Sequence, residues 1–523
     1  MSVMISLHAP RTAPATRREP GRIVPLALAG GLLSLLAACG TSPVGPDYRV
    51  PEAALIQSPA ASAAFVSATG TRPGAPGQAT SALFSNEALP AYWWRLYQDP
   101  VLDRLIDQAL AHNTDLRQAV ANLERVQALQ DEVDDSRRAH LGVNSGLGYG
   151  HVSGLSMLRP DTVPRTQGTY SAGLSLSYQV DATGQIRRAI EAAQASTDAA
   201  QAALDLVRVH VAAHTARAYA GVCSTGLRLQ SAQTSVRLQE DALRVSEQLQ
   251  HAGRVGVTDT ARARSQLAQL QASVPALQAL QRSELFQLAT LMGVPPSQFP
   301  QDVAACATPP QVATVLPVGD GAALLRRRPD VRQAERELAS ATARIGVATG
   351  DLYPKVTLGL SGGSAGPLSH FSRRDTYSWN IGPLISWTVP DTGAVQARIA
   401  QAEASTRAAL ARFDGTVLTA LRETETALDA YARELERQAA LKEARDQAAT
   451  VAQQARRLYR GGKTGYLEAL DAERSLASSE AALAGSQAQV ADDQVMLFMA
   501  LGGGWEPVAG TPSNSPLDAS PAR

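Results

Sequence analysis

Leu141-Gly-Val-Asn-Ser-Gly-Leu-Gly-Tyr149 and Tyr170-Ser-Ala-Gly-Leu-Ser-Leu-Ser-Tyr178 alternate apolar residues with small or polar ones. That period of two marks strands with a single apolar face. A loop containing Gly154, Pro160 and Pro164 joins them. The pair returns as Val356-Thr-Leu-Gly-Leu360 and Ile381-Gly-Pro-Leu-Ile-Ser-Trp387, again around a loop of Gly, Ser and Pro. Outside the hairpins the period changes to three and four, as in Leu102, Leu105, Ala109, Leu116, Val120 and Leu123, which predicts helix. The fold class expected is therefore α+β, long coiled helices with four strands.

The strands recur because the whole chain does. Asn113-Thr-Asp-Leu-Arg-Gln-Ala119 is echoed by Arg328-Pro-Asp-Val-Arg-Gln-Ala334, and Gly184-Gln-Ile-Arg-Arg188 by Gly393-Ala-Val-Gln-Ala-Arg398. The turn His251-Ala-Gly-Arg-Val-Gly256 is echoed by Arg460-Gly-Gly-Lys-Thr-Gly465, and Leu291-Met-Gly293 by Leu501-Gly-Gly503. One structural unit is used twice. The expected division is a signal peptide over 1–38, a tether and belt segment over 39–100, repeats over 101–310 and 311–505, and a tail over 506–523. The strands fall at about 139–150, 169–180, 353–362 and 377–389.

Lengths constrain the geometry. Residues 184–250 and 393–459 predict helices of about 100 Å each. The return helices, 258–292 and 466–500, are half as long, as are the inbound helices over about 100–138 and 320–350. Half-length helices stacked end to end would match a long one. Leu267, Leu270, Val274 and Leu277 keep the spacing of a coiled-coil seam. Pro275 lies inside that helix, at a cost of about 3 kcal/mol unless the helix kinks.

Four strands of about ten residues have the length that crosses a bilayer when tilted. Four cannot close, and an open edge in lipid strands backbone N–H and C=O groups. Three chains of four would give about twelve strands and room for a lumen, so a homotrimer is expected. The pattern alone also fits two soluble hairpins capping a helical bundle.

The N-terminus weighs against that alternative. Arg17, Arg18 and Arg22 precede an apolar run, Ile23 to Ala38, that ends Leu36-Ala-Ala-Cys39-Gly40. This is the order of a bacterial lipobox, in which Cys39 receives diacylglycerol and a fatty acyl chain. The lipid would hold the mature end in the membrane. The other cysteines, Cys223 and Cys306, read as isolated thiols or at most one disulfide.

Charge excludes other classes. The chain has 48 basic and 48 acidic residues, so no bulk field draws nucleic acid. It has no Walker loop, no HExxH and no CxxC, and it does not read as an enzyme. His210 and His214 are four apart, half a metal site at most, with no acidic or thiol partner beside them in sequence. No cofactor beyond the lipid on Cys39 is expected.

In order along the chain, Val44-Gly-Pro-Asp-Tyr48, Trp93-Trp94 with Asp99-Pro100, Gly184-Gln-Ile-Arg-Arg188 and Leu324-Leu-Arg-Arg-Arg-Pro-Asp330 resemble the TolC/OprM-type outer-membrane efflux factors. Ile345-Gly-Val-Ala348, Tyr353-Pro354 and Ala500-Leu-Gly-Gly-Gly-Trp505 extend the resemblance, which is to the NodT lipoprotein branch and covers Cys39 to Trp505. It implies a homotrimer with a twelve-stranded barrel, a periplasmic helical barrel and a belt around its middle. It also implies a membrane-fusion adaptor and an inner-membrane transporter of the resistance-nodulation-division class as partners, and passive conduction of drugs or toxic compounds.

The resemblance further places a periplasmic gate at the helix tips. Tyr459 matches a gate-locking tyrosine, and Glu468 and Asp471, on one helical face, would form acidic rings, with Asp259 at the equivalent tip of the first repeat. Gly253, Gly256, Gly461, Gly462 and Gly465 shape the tips that an adaptor would touch. A protein-secretion duct, a metal-efflux channel and a non-conducting periplasmic lipoprotein are the alternatives.

Overall fold

The computed structural model describes residues 42–504, apart from 70, 73–80, 152, 154, 156–162, 313 and 388–391. The signal peptide, Cys39, Trp505 and the tail lie outside the described residues. The chain divides into two compact units: one holds Ala139–Arg187 and Gly350–Val389, the other most of the rest.

The first unit is one antiparallel sheet. Its strands are β1 (His140–Gly150), β2 (Gln167–Val180), β3 (Lys355–Pro367) and β4 (Tyr377–Ser386), paired in that order. Register carries the alternation from strand to strand. Leu141 lies opposite Leu176, Leu176 opposite Leu360, and Leu360 opposite Ile381. One face is thus mostly aliphatic and aromatic, with small residues such as Ser145 and Gly362 between, and Val143 75%, Leu147 82%, Trp379 78% and Ile381 68% exposed. The opposite face carries residues such as Asn144, Gly146, Ser175, Ser361 and Asn380. Gly363 is needed there, since a Cβ would lie 2.6 Å from the Ala172 carbonyl oxygen. An apolar face of this size is incompatible with water.

The second unit is helical. Its inbound helices break where single helices were expected. The first is α1 (Pro100–His112) and α2 (Thr114–Asp135), and its counterpart after the first long hairpin is α5 (Gly321–Arg327) and α6 (Pro329–Gly350). Between them run α3 (Gln185–His251), whose first residues belong to the sheet unit, and α4 (Val257–Leu291). The second hairpin is α7 (Thr392–Arg460) and α8 (Tyr466–Ala500). Both return helices have 35 residues. Pro275 sits inside α4 without ending it, and Leu267, Leu270, Val274 and Leu277 are half-buried along that helix.

The breaks have a local cause and a long-range use. Asn113 leaves the helical conformation to cap α2, its Oδ1 accepting from the Asp115 and Leu116 N–H groups at 2.9 and 3.1 Å. Its Nδ2 donates to the carbonyl of Leu291, the last residue of α4, at 3.0 Å. In the second repeat Arg328 precedes a proline and is extended. It donates to the carbonyl of Ala500, the last residue of α8, at 2.9 Å. The C-terminus of each return helix therefore meets the N-terminus of an inbound one, dipoles head to tail. Half-length helices stack end to end, as their lengths suggested. Arg328, 7% exposed, also binds the carboxylates of Asp330 (3.0 and 2.6 Å) and Glu423 (2.9 Å).

Where it is described, the segment expected as tether and belt is packed against the helices. Trp93 and Trp94 are 0% and 1% exposed, and Trp93 stacks on Phe498 at 4.8 Å. Glu425 accepts from the Val66 and Ser67 N–H groups at 2.7 and 2.9 Å, and Asp414 from Leu55 N–H at 2.9 Å. Phe84–Ser85 pairs in parallel with Leu316–Pro317. The two remaining cysteines form one disulfide, Cys223–Cys306. A Cβ on Gly226 would lie 1.9 Å from the Cys306 carbonyl oxygen, so glycine lets that loop seat on α3.

Arg328→Met leaves two acids uncompensated. It is expected to cost about 2 kcal/mol, below the fully buried range because Glu423 is 40% exposed. Asn113→Ala is expected to cost about 1 kcal/mol as a lost cap. Thermal unfolding of the purified protein in detergent measures both, and equal or negligible effects would contradict the stacked-junction account.

Candidate functional site

Glycine makes both helix tips. Gly253 and Gly462 have φ of 70° and 68°, a region that costs other residues about 1–2 kcal/mol. The two turns share one hydrogen-bond pattern. Arg254 N–H donates to Leu249 carbonyl and Lys463 N–H to Leu458 carbonyl, each at 2.9 Å, closing the preceding helix. Gly256 and Gly465 are the extended residues before α4 and α8. Gly461 ends α7 through a bond to the Arg457 carbonyl.

Tyr459 is buried in a small core with Tyr466, Ala469, Leu470 and Ala263. Its ring lies 5.4 Å from that of Tyr466. Burial pushes its phenol up, opposed by the Ser246 hydroxyl and reinforced by Asp259. The two hairpins are tied by polar contacts: Arg474 donates to Gln266 at 2.7 Å, and Gln239 to the Tyr466 hydroxyl at 3.4 Å.

Glu468 and Asp471 are both exposed, and the Thr464 hydroxyl donates to Glu468. The first repeat differs. Asp259 stands where Glu468 does, but Arg262 occupies the place of Asp471 and pairs with Asp259 at 3.3 Å. The double acid exists in one repeat and a neutralised pair in the other. Tyr459 is thus brought to the same tips as Asp259, and its packing is separate from the exposed acids.

Glu473 was not singled out by the sequence. Burial raises its carboxyl above the usual range, and Arg456, donating at 3.0 Å, offsets part of that. No tip motif marks it, since its role depends on α7 lying beside α8. His210 is exposed and His214 half-buried, their rings 6.1 Å apart. Among the described residues no helix is long and apolar enough to cross a membrane.

An open sheet with one bare apolar face, on a chain of duplicated helical hairpins, defines a membrane channel protein. Residues 105–294 and 322–503 match the family model "Outer membrane efflux protein", and the chain belongs to that family. It is an outer-membrane channel component of an efflux pump. It is 30% identical to Nodulation protein T of Rhizobium leguminosarum bv. trifolii, over 91% of this chain and 96% of that one. It is also 30% identical to the "Solvent efflux pump outer membrane protein SrpC" of Pseudomonas putida, over 91% and 97% of the two chains. The solved structure of the outer-membrane channel OprN aligns with a TM-score of 0.80 at 34% identity, covering 89% of this chain and all of that one.

Tyr459→Ala is expected to cost about 3 kcal/mol within the tips, whereas Glu468→Ala stays within about 0.5 kcal/mol, as an exposed substitution does. Amide exchange over residues 455–470 reads both. Unchanged exchange in Tyr459→Ala would sink the assignment of a tip core.

Proposed function

We propose that three copies of the chain close their sheets into a twelve-stranded barrel that passively conducts drugs or other toxic compounds out of the cell. The observation that carries this is the register-aligned apolar face on a sheet whose outer strands, β1 and β4, each have a single partner among the described residues. Three chains of four strands satisfy both edges in lipid. The face of glycine, serine and asparagine then lines the lumen, where short side chains leave the bore wide.

A periplasmic adaptor and an inner-membrane transporter of the resistance-nodulation-division class complete the pump in this reading, supported by the kinship with a solvent-efflux component. The glycine-built tips are the adaptor's contact. Glu468 and Asp471, exposed one helical turn apart, form acidic rings at the periplasmic mouth, and buried Tyr459 braces the closed tips. Asp259, paired with Arg262, adds little field of its own.

Cys39 carries the lipid, supported by the lipobox order of Arg17, Arg18 and Arg22, an apolar run and Leu36-Ala-Ala-Cys39. The barrel itself holds the protein in the membrane, so the lipid is an accessory anchor. Cys39→Ala behind a cleavable signal should lose labelled palmitate and keep partial efflux. Complete loss with trimers still in the membrane would contradict this.

Single-channel recording in planar bilayers tests the channel and its mouth together. The trimer should conduct and prefer cations, and Glu468→Ala with Asp471→Ala should remove most of that preference. An unchanged preference rejects the rings, and no conductance from a stable trimer rejects the channel.

A further inference from the structure

At one end of the sheet Gly150 lies opposite Gln167, and Ser364 opposite Tyr377. At that end the segment between β3 and β4 does not project freely. It folds back over the apolar face, clamped by one buried tyrosine. The Tyr170 hydroxyl bonds the Ser364 and Thr376 hydroxyls at 2.7 and 3.0 Å and accepts from Ser372 N–H at 3.1 Å. Its ring packs on Phe371 at 4.8 Å. Successive turns, Phe371 to Leu368 and Thr376 to Arg373, order the segment.

The clamp presents two chemistries side by side. Phe371 is 65% and Leu368 49% exposed, continuous with the apolar face. Arg373 and Arg374 are exposed beside them, and exposed Arg165 precedes β2 at the same end. None of these three arginines pairs with a carboxylate among the described residues. Asp375 is the acid beside them. Tyr377 and Trp379, 59% and 78% exposed, begin β4 where aromatic residues mark a membrane–water boundary.

Unpaired guanidinium groups at the rim of an apolar wall fit a phosphate carried on acyl chains. We infer that Arg165, Arg373 and Arg374, with Phe371 and Leu368, form a binding surface for a phosphate-bearing lipid of the outer leaflet. The acyl chains lie on the apolar face, and the head-group phosphate meets the arginines. The inference rests on the channel reading, which turns the hairpin loops outward.

Native mass spectrometry of the full-length trimer, offered lipid A with its phosphates or the same lipid dephosphorylated, tests it. The native protein should favour the phosphorylated form about tenfold. Arg165→Gln with Arg373→Gln and Arg374→Gln should bring that preference within about twofold, while Lys355→Gln, at the other end of β3, should keep it. Should the triple variant fail to assemble, Arg373→Gln and Arg374→Gln singly must each reduce the preference. A preference that survives these changes, or none in the native protein, overturns the inference. Ser372→Cys, probed on intact cells with a membrane-impermeant maleimide, separates the two readings. Labelling without phosphate preference defeats only the lipid surface, whereas no labelling defeats the outward orientation and with it the lipid surface.

Discussion

A backbone N–H or C=O facing hydrocarbon without a partner costs several kcal/mol, and no lipid can supply one. The sheet of this protein is built around that constraint and leaves it unsolved within one chain. β1 and β4 are its edges, and its apolar face is too large for water. Everything else follows from meeting the constraint with further copies. The edge strands must be similar in length, as β1 with 11 residues and β4 with 10 are, so that edges can meet. Duplication provides this, since the same hairpin occurs twice with its flanking helices.

The helical unit meets a related constraint differently. Helix ends also leave backbone groups unpaired, and a return helix of 35 residues beside one of 67 or 69 leaves its end far short of its partner's. The gap is filled by an inbound helix seated on that end. Asn113 and Arg328 make the joint with different chemistry at equivalent places. The amide caps one helix and bonds the next with its two ends. The guanidinium meets the negative end of α8 and is balanced by Asp330 and Glu423. Two copies of one ancestral joint have kept the geometry and exchanged the side chain. The tips have diverged likewise, with Arg262 in one and Asp471 in the other.

Much of this was legible in residues. Alternation at Leu141–Tyr149 and Tyr170–Tyr178 revealed strands because a sheet with two unlike faces must alternate. Glycine at Gly253 and Gly462 marked the tips because little else tolerates positive φ. Other features were illegible for equally physical reasons. Residues 39–100 read as a tether and belt segment, yet the carboxylates of Asp414 and Glu425, some 360 positions away, bind the backbone N–H groups of Leu55, Val66 and Ser67. The split at Asn113 was hidden because helical spacing continues across it. Glu473 was missed because no local pattern marks a charge buried by a neighbouring helix.

The sequence by itself determined the elements, their duplication and the need for a lipid-facing surface, since periodicity and turn chemistry are local properties. Only the tertiary structure decided which ends meet. The pairing of Asn113 with Leu291 and of Arg328 with Ala500, the Cys223–Cys306 disulfide, and the fold of Leu368–Thr376 over Tyr170 each join residues whose proximity no spacing rule encodes. Such contacts are set by packing across the fold, where the free energy of one side chain depends on neighbours far along the chain.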